Sequence, residues 1–219
     1  MNLALFDLDN TLLSGDTDVE WLEFLVGRGL LDAGAHAANV EMDRRYRAGE
    51  APALEYVRFY LRLYPRYEMA LLLELRQAFL EERIKPRMLP AARELIDRHR
   101  EDLAVIITAT NRFLTEPIAQ AFGIEHLIAT EPQIAGERFT GDIVGAPCMR
   151  EGKLEHLSRW LAARGQAFSD FSCSFFYSDS INDLPLLERV THPVAVDPDP
   201  QLKALANERA WRSISLRAR

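Results

Sequence analysis

The sequence has few cysteines, no long apolar run and no excess of positive charge. Cys148 and Cys173 are the only cysteines among 219 residues, and neither lies in a Cys-x-x-Cys spacing. Neither a disulfide framework nor a cysteine metal site is therefore expected, and the compartment should be reducing. No apolar stretch approaches the length of a membrane span, and the first residues lack the cationic start of a signal peptide. These features predict a cytoplasmic protein without a membrane partner.

Acidic side chains outnumber basic ones. There are 33 Asp and Glu against 26 Lys and Arg, which gives a formal net charge of -7. Without an overall positive field, the chain is not expected to bind nucleic acid, and an anionic substrate would need local cations. The length and the 48% hydrophobic content suffice for one substantial domain and a smaller one. Whether the chain is a monomer or a homodimer stays open.

The chain divides into two regions by pattern. Between about residues 15 and 87 the apolar spacing is helical throughout, whereas strands and helices alternate after that point. The alternation predicts an α/β core formed by residues 1–14 and 88–219, with a doubly wound, mainly parallel sheet. Residues 15–87 are then an inserted, all-helical domain. Its first predicted helix ends near residues 27–29, and three further helices are expected over about 36–48, 52–64 and 67–84.

The predicted core has a regular order of elements. Helices are expected at about 90–99, 109–122, 152–164 and 182–188, and strands at 3–6, 103–108, 127–129, 174–177 and 194–196. A polar hairpin pairs 133–136 with 138–142.

The first strand places two carboxylates at one edge of the sheet. The apolar run Leu3–Phe6 is typical of a buried parallel strand, and Asp7 and Asp9 follow it. Ligands of open α/β sheets bind just beyond the carboxyl ends of such strands. The two carboxylates could share a divalent cation such as Mg²⁺, or act as nucleophile and general acid. Alternatively, one caps a turn and the other is solvated.

Two further strand ends carry polar residues. Thr108 and the small residues after it could surround a phosphoryl oxygen with hydroxyl and amide donors, although such residues also cap helices. After the strand at 174–177, Asp179 could share a metal with Asp7, and Asp183 could orient another ligand. A helix cap in this segment is the alternative explanation. Lys153, near the start of a helix, is either a solvated side chain or a cation directed at Asp7.

Together these segments resemble the four motifs of the haloacid dehalogenase (HAD) superfamily. The resemblance rests on Asp7-Leu8-Asp9-Asn10-Thr11, Thr108, Lys153 and the segment 179–183, in this order. The helical insert is similar to the mobile cap of the phosphoserine-phosphatase-like branch. The segment 177–187 resembles a bacterial subgroup that includes histidinol-phosphate phosphatases.

The resemblance implies a role for each motif residue. Asp7 would be the nucleophile that forms an aspartyl-phosphate, and Asp9 the general acid and base. Mg²⁺ would bind the carboxylates of Asp7 and Asp179 and the backbone carbonyl of Asp9. Asn182 and Asp183 would support this metal shell. The phosphoryl group would be held by Thr11, Thr108, Ala109 and Lys153.

Some residues depart from the family pattern, and two others could contact the substrate. Ser178 stands where many family members have glycine, and Ala109-Thr110 stand where phosphoserine phosphatases usually have Gly-Gly. These side chains would crowd the backbone approach to phosphate, which leaves the reaction standing but weakens a phosphoserine assignment. Asp16 occupies a position from which a carboxylate could contact a cationic group of the substrate, although it could equally cap a helix. Arg58 is a helical cation that could face the site.

The resulting prediction is a magnesium-dependent phosphomonoesterase for a small soluble phosphorylated metabolite, of phosphoserine or histidinol-phosphate type. One alternative is a phosphotransferase that passes the phosphoryl group to an alcohol. Another is a phosphate-binding regulatory module without turnover.

Overall fold

The structure is a computed structural model that describes residues 1–217. Six strands form the main sheet and two form a hairpin within this range. The strands are β1 Leu3–Phe6, β2 Leu103–Asn111, β3 His126–Thr130, β4 Pro132–Ala135, β5 Arg138–Ile143, β6 Ser174–Ser178, β7 His192–Val196 and β8 Arg212–Ile214. The helices are α1 Thr17–Gly27, α2 Gly34–Arg47, α3 Ala53–Leu61, α4 Met69–Phe79, α5 Pro90–Asp97, α6 Arg112–Phe122, α7 Glu151–Ala163, α8 Leu184–Leu187 and α9 Pro200–Glu208.

The six-stranded sheet is parallel and has β1 near its centre. The strand order is β3-β2-β1-β6-β7-β8, and every pair is parallel. The chain leaves β1 towards β2 on one side and later returns to β6 on the other, so the order reverses at β1. Ligand crevices of doubly wound sheets form at such a reversal. Phe6 is aligned with both Ile106 and Tyr177, so the segments after β1, β2 and β6 emerge at one edge.

Strand β1 is apolar throughout because both of its faces are covered. Leu3 and Leu5 pack in a core cluster with residues of α7, α8 and α9. Ala4 and Phe6 point to the opposite face, into a cluster that includes residues of α5 and α6. All four residues have no exposed surface. This alternation is the two-residue period of a strand within a three-layer sandwich.

The segment between β1 and β2 is helical, as predicted. Helices α1 to α4 are followed by a π-helical turn at Leu80–Ile84 and a 3₁₀ turn at Lys85–Arg87. Trp21 packs edge-on against Phe79, with ring centroids 5.1 Å apart, and belongs to the same apolar cluster as Phe6. The segment is therefore packed onto the α5 and α6 side of the core.

The predicted α/β class is confirmed, and several element boundaries differ. Strand β2 continues beyond Thr108, because Asn111 pairs with Thr130 of β3 after an irregularity in the ladder. The helix expected over 67–84 stops being α-helical at Phe79. The helix expected at 182–188 is a 3₁₀ turn followed by the short α8. Helix α9 and strand β8 were not predicted, although Asp199 before Pro200 caps α9 and is a helix-start signal.

None of the helices formed by the described residues combines the length and apolarity that a membrane crossing requires.

Candidate active site

Asp7 emerges from β1 into a buried polar cluster. The residue is 7% exposed, and its backbone N–H donates to the Tyr177 carbonyl of β6. Lys153 Nζ donates to Asp7 Oδ1 at 2.7 Å, and Thr11 Oγ1 lies 3.1 Å from Asp7 Oδ2. Burial raises the pKa of Asp7 to about 7, opposed by the charge of Lys153. A desolvated carboxylate with one cation beside it is suited to act as a nucleophile.

Lys153 is charged despite its burial. The side chain is 3% exposed, and its ammonium lies 2.7 Å from both Asp7 and Asp183. Burial alone would lower the pKa of Lys153, but these two carboxylates raise it overall. Asp183 also accepts a hydrogen bond from Ser178 Oγ at 2.7 Å. The predicted alternative of a solvated lysine is wrong, and Asp183 holds the lysine in place.

Asp9 is held by hydroxyl and amide donors instead of a cation. Asp9 Oδ1 accepts from the Thr17 backbone N–H at 2.8 Å and from the Thr17 hydroxyl. Thr110 Oγ1 donates to Asp9 Oδ2 at 2.6 Å. Burial raises the pKa of Asp9 to about 6, while these hydrogen bonds lower it. A carboxyl group with a pKa in this range can both give and take a proton near neutral pH.

Asp7 and Asp179 lie on either side of the Thr11 hydroxyl. Thr11 Oγ1 is 3.1 Å from Asp7 Oδ2 and also 3.1 Å from Asp179 Oδ1. The turn after β1 makes this possible, because Asn10 has a positive φ of 58° and Thr11 folds back onto the Leu8 carbonyl. Thr11 was predicted to bind phosphate, but it is fully buried and does not line the cavity. Its hydroxyl orients the two carboxylates instead.

The donor set fits a hard divalent cation. Burial, and next to it the charge of the nearby Asp7 carboxylate, raise the pKa of Asp179 to about 8. Two desolvated carboxylates that destabilise each other's ionised form are the arrangement that a bound cation relieves. Within residues 1–217, no three His, Cys, Asp or Glu side chains are grouped around a single metal position. The predicted site needs only two carboxylates, with a backbone carbonyl as the third protein ligand.

The other predicted phosphate ligands line the same cavity. Thr108 is 1% exposed, and its hydroxyl accepts a hydrogen bond from the Thr110 N–H. Thr108, Ala109 and Asn182 all border a cavity of about 580 Å³ that also contains Asp7, Asp9, Lys153 and Asp179. The structure thus brings together the residues predicted from four separate segments.

The cavity is strongly acidic. Eight aspartates line it, against three cations. The aspartates are Asp7, Asp9, Asp16, Asp18, Asp43, Asp179, Asp183 and Asp199, and the cations are Arg47, Arg150 and Lys153. Asp18 and Asp43 come from helices α1 and α2, whose contribution the sequence did not reveal. Burial raises the pKa of Asp18 well above its usual range.

Of the two residues predicted to contact the substrate, one lines the cavity and the other does not. Asp16 caps α1, where its carboxylate accepts from the Val19 N–H at 3.1 Å, and it also lines the cavity. Arg58 does not line it. Its guanidinium donates to both carboxylate oxygens of Asp142 on β5, at 2.9 and 2.7 Å. Arg58 therefore links α3 to the hairpin instead of facing the site.

A doubly wound sheet whose central strand ends in a buried aspartate beside a lysine places a candidate nucleophile in the ligand crevice of an α/β protein. The sequence model of the haloacid dehalogenase-like hydrolases matches residues 4–188, and the chain belongs to this family. The predicted resemblance is confirmed.

Individual relatives cover nearly the whole chain. A histidinol-phosphatase of Neisseria meningitidis serogroup C is 39% identical over 214 residues, which is 96% of each chain. Phosphoserine phosphatase SerB1 of Mycobacterium tuberculosis is 32% identical over 221 residues, covering 95% of this chain and 68% of the relative. A crystal structure of a protein of unknown function from Bordetella pertussis Tohama I has a TM-score of 0.94 at 43% identity, covering 98% of both chains.

Proposed function

We propose that the chain is a magnesium-dependent phosphomonoesterase that works through an aspartyl-phosphate on Asp7. The observation that carries this proposal is the different environment of the two carboxylates after β1. Asp7 is paired with the Lys153 ammonium, whereas Asp9 is held by Thr17 and Thr110. One carboxylate is therefore kept as a nucleophile and the other as a proton carrier.

The proposed reaction has two displacements. In the first, a carboxylate oxygen of Asp7 attacks phosphorus, the bond from phosphorus to the ester oxygen breaks, and Asp9 gives its proton to the leaving alkoxide. In the second, Asp9 takes a proton from water as the water oxygen attacks phosphorus and the bond from phosphorus to the Asp7 oxygen breaks, which releases inorganic phosphate and restores the Asp7 carboxylate and the protonated Asp9. Lys153 stabilises the negative charge that develops on the phosphoryl oxygens, and Thr108 with the Ala109 amide holds one of these oxygens.

Magnesium would be held by the carboxylates of Asp7 and Asp179 and the carbonyl of Asp9. When bound, it would neutralise charge that otherwise repels an anionic phosphate from an anionic nucleophile. Asn182 and Asp183 would support this shell. The raised pKa values of Asp7 and Asp179 support the proposal, because these groups lack a full complement of positive charge.

The proposed substrate is a small phosphomonoester that carries an ammonium or imidazolium group. The excess of aspartates along the cavity supports this class, and Asp16, Asp18 and Asp43 supply the acidic groups on the helical side. Histidinol phosphate is the first candidate, since a relative with 39% identity over nearly the full length is a histidinol-phosphatase. Phosphoserine is the second candidate, supported by the similarity to SerB1.

The helical segment 15–87 would act as a cap on the core formed by 1–14 and 88–219. The cavity is lined from both parts, by Asp16, Tyr46 and Tyr56 on the cap side and by Lys153 and Asp179 on the core side. A cap in this position would exclude bulk water during the first displacement and admit one water for the second.

Asp7→Asn tests the covalent mechanism. We expect phosphatase activity to fall by about 10³-fold or more, because the amide is a poor nucleophile. Turnover is measured with Mg²⁺ on a panel that includes histidinol phosphate, phosphoserine and competing alcohol acceptors. Acid quenching during turnover should leave a phosphoryl group on Asp7 of the wild type, detectable by mass spectrometry.

Asp97→Asn is the matched control, because Asp97 is exposed on α5 and should leave turnover unchanged. Wild-type turnover by Asp7→Asn would contradict the mechanism. Transfer of phosphate mainly to the added alcohols would instead identify a phosphotransferase. If no compound of the panel is turned over, the chain would be a phosphate-binding module.

A further inference from the structure

One cavity arginine, Arg150, has no part in the proposed reaction and no ion-pair partner among residues 1–217. Lys153 is neutralised by Asp7 and Asp183, and Arg47 is paired with Asp43. Arg150 forms no ion pair with any residue of the range 1–217, and its Nε is buried without a hydrogen-bond partner in that range. A buried donor without a partner is rare because it loses its bonds to water without replacement.

A second unsatisfied polar group lies beside Arg150. The guanidinium carbon of Arg150 is 4.8 Å from the centroid of the Tyr46 ring. Tyr46 lies on α2 and is 6% exposed, and its hydroxyl has no well-formed hydrogen bond within the described chain. The adjacent Arg150 guanidinium lowers the pKa of Tyr46 against the larger effect of burial. Both side chains line the cavity. Two adjacent polar groups that line one cavity without full hydrogen bonding indicate a ligand that supplies acceptors.

The backbone at Arg150 is strained. Its φ is 53° and its ψ is -127°, a conformation that glycine adopts freely and a residue with a side chain does not. Arg150 directly precedes α7, and its carbonyl accepts a hydrogen bond from the Lys153 N–H at 3.1 Å. The strain therefore holds a guanidinium within one helical turn of the lysine at the reaction centre.

We propose that Arg150, with the Tyr46 hydroxyl, binds an anionic oxygen of the substrate. A guanidinium without a carboxylate partner matches the paired oxygens of a phosphoryl or carboxylate group. The shared chemistry is an oxyanion, which could be the phosphoryl group itself or a carboxylate on the leaving group. The proposal rests on the proposed function for the presence of a phosphorylated substrate, but binding can be tested without turnover.

The test compares the wild type with Arg150→Gln by calorimetry in the presence of Mg²⁺. Three ligands that cannot be hydrolysed are used: inorganic phosphate, the phosphonate isostere of phosphoserine, and the phosphonate isostere of phosphoethanolamine. The two isosteres differ only in the carboxylate. A roughly 10- to 100-fold loss of affinity, the effect of removing a charged hydrogen bond, is expected for all three if Arg150 holds the phosphoryl group. It is expected for the phosphoserine isostere alone if Arg150 holds a carboxylate.

Two further variants separate binding from a structural role. Arg164→Gln removes a guanidinium that lies over an aromatic ring, Trp160, at the other end of α7 but outside the cavity, and all three affinities should stay within about 2-fold. Arg150→Gly should lose affinity as Arg150→Gln does, yet keep or raise the melting temperature because the backbone strain is relieved.

The proposal is overturned if Arg150→Gln binds all three ligands as the wild type does, or if both Arg150 variants only lower the melting temperature. It is also overturned if the wild type binds none of the ligands. If the wild type binds them but hydrolyses no phosphomonoester, the proposed function fails and the assignment of Arg150 stands.

Discussion

At the residue scale, the environments of Asp7 and Asp9 differ although the two residues are separated by a single leucine. Burial raises the pKa of both carboxyl groups. The Asp7 carboxylate faces a fixed ammonium, whereas Asp9 faces only neutral donors. The charge of Lys153 offsets part of the effect of burial on the pKa of Asp7. Repulsion from Asp16 adds to the effect of burial on the pKa of Asp9, whereas the hydrogen bonds from Thr110 and Thr17 oppose it. The contacts, more than the residue type, therefore divide the two proposed roles.

Thr110 is the donor whose removal tests this division. Thr110→Val should lower kcat by about 10-fold or more with a smaller change in KM, because Asp9 loses a hydrogen bond that fixes its orientation. The loss of this bond should also raise the pKa of Asp9, since the bond lowers it in the wild type. Steady-state kinetics across pH measure both effects.

Thr110→Ser is the matched control, because it keeps the hydroxyl and should retain most of the activity. If serine and valine have the same effect, the position contributes only packing, and Thr110 does not orient Asp9.

At the element scale, the start of α7 depends on a close approach that only glycine permits. A Cβ on Gly152 would lie 2.2 Å from the Pro147 carbonyl oxygen. Gly152 lies between Arg150 and Lys153, so a shift here would move both cations relative to Asp7. The tight turn at the start of α7 therefore fixes the positions of the two cations in the site.

Gly152→Ala should lower both stability and activity. We expect a loss of about 1–3 kcal/mol in the free energy of unfolding, the usual effect of inserting a methyl group into a packed site. Denaturant unfolding and turnover of the best substrate measure the two losses. Gly27→Ala is the control, since a Cβ there meets nothing within 4 Å, and it should be neutral or slightly stabilising. Equal stability of the two variants would contradict the close approach.

Elements were more predictable than the contacts between them. The convergence of Asp7, Thr108 and Asp179 follows from the sequence because parallel strands end at one edge of a sheet. The pairing of Arg58 with Asp142, 84 residues away, depends on how α3 meets the hairpin, which no local pattern encodes. The sequence analysis also did not select Arg150 as a site residue. Its backbone has a positive φ, but no glycine marks the position, so the sequence carries no signal of the turn that places this side chain in the cavity.

At the scale of the whole molecule, negative charge is concentrated where the proposed substrate is also anionic. Eight aspartates border one cavity in a chain with a net charge of -7. Asp7, Asp9 and Asp179 all have raised pKa values, with burial as the largest cause. The folded protein without metal therefore binds protons at these groups more tightly than the unfolded chain does.

This difference predicts how pH and Mg²⁺ control stability. The ordinary pKa of these carboxyl groups is 3.8, and the folded values are about 7 for Asp7 and about 8 for Asp179. At pH values between the ordinary pKa and the folded pKa, the folded state holds more protons than the unfolded state. The metal-free protein should therefore lose stability as pH rises from about 4 to about 8.

Mg²⁺ should reverse this loss, because it binds the deprotonated carboxylates and competes with protons for them. Thermal melts with chelator or excess Mg²⁺ should therefore differ more at about pH 8 than at about pH 5. Asp179→Asn should flatten the pH dependence of the metal-free protein and remove most of the Mg²⁺ effect, since it takes away one carboxylate of the proposed site. A stabilisation by Mg²⁺ that is independent of pH, or that survives in Asp179→Asn, would place the cation elsewhere on this acidic chain.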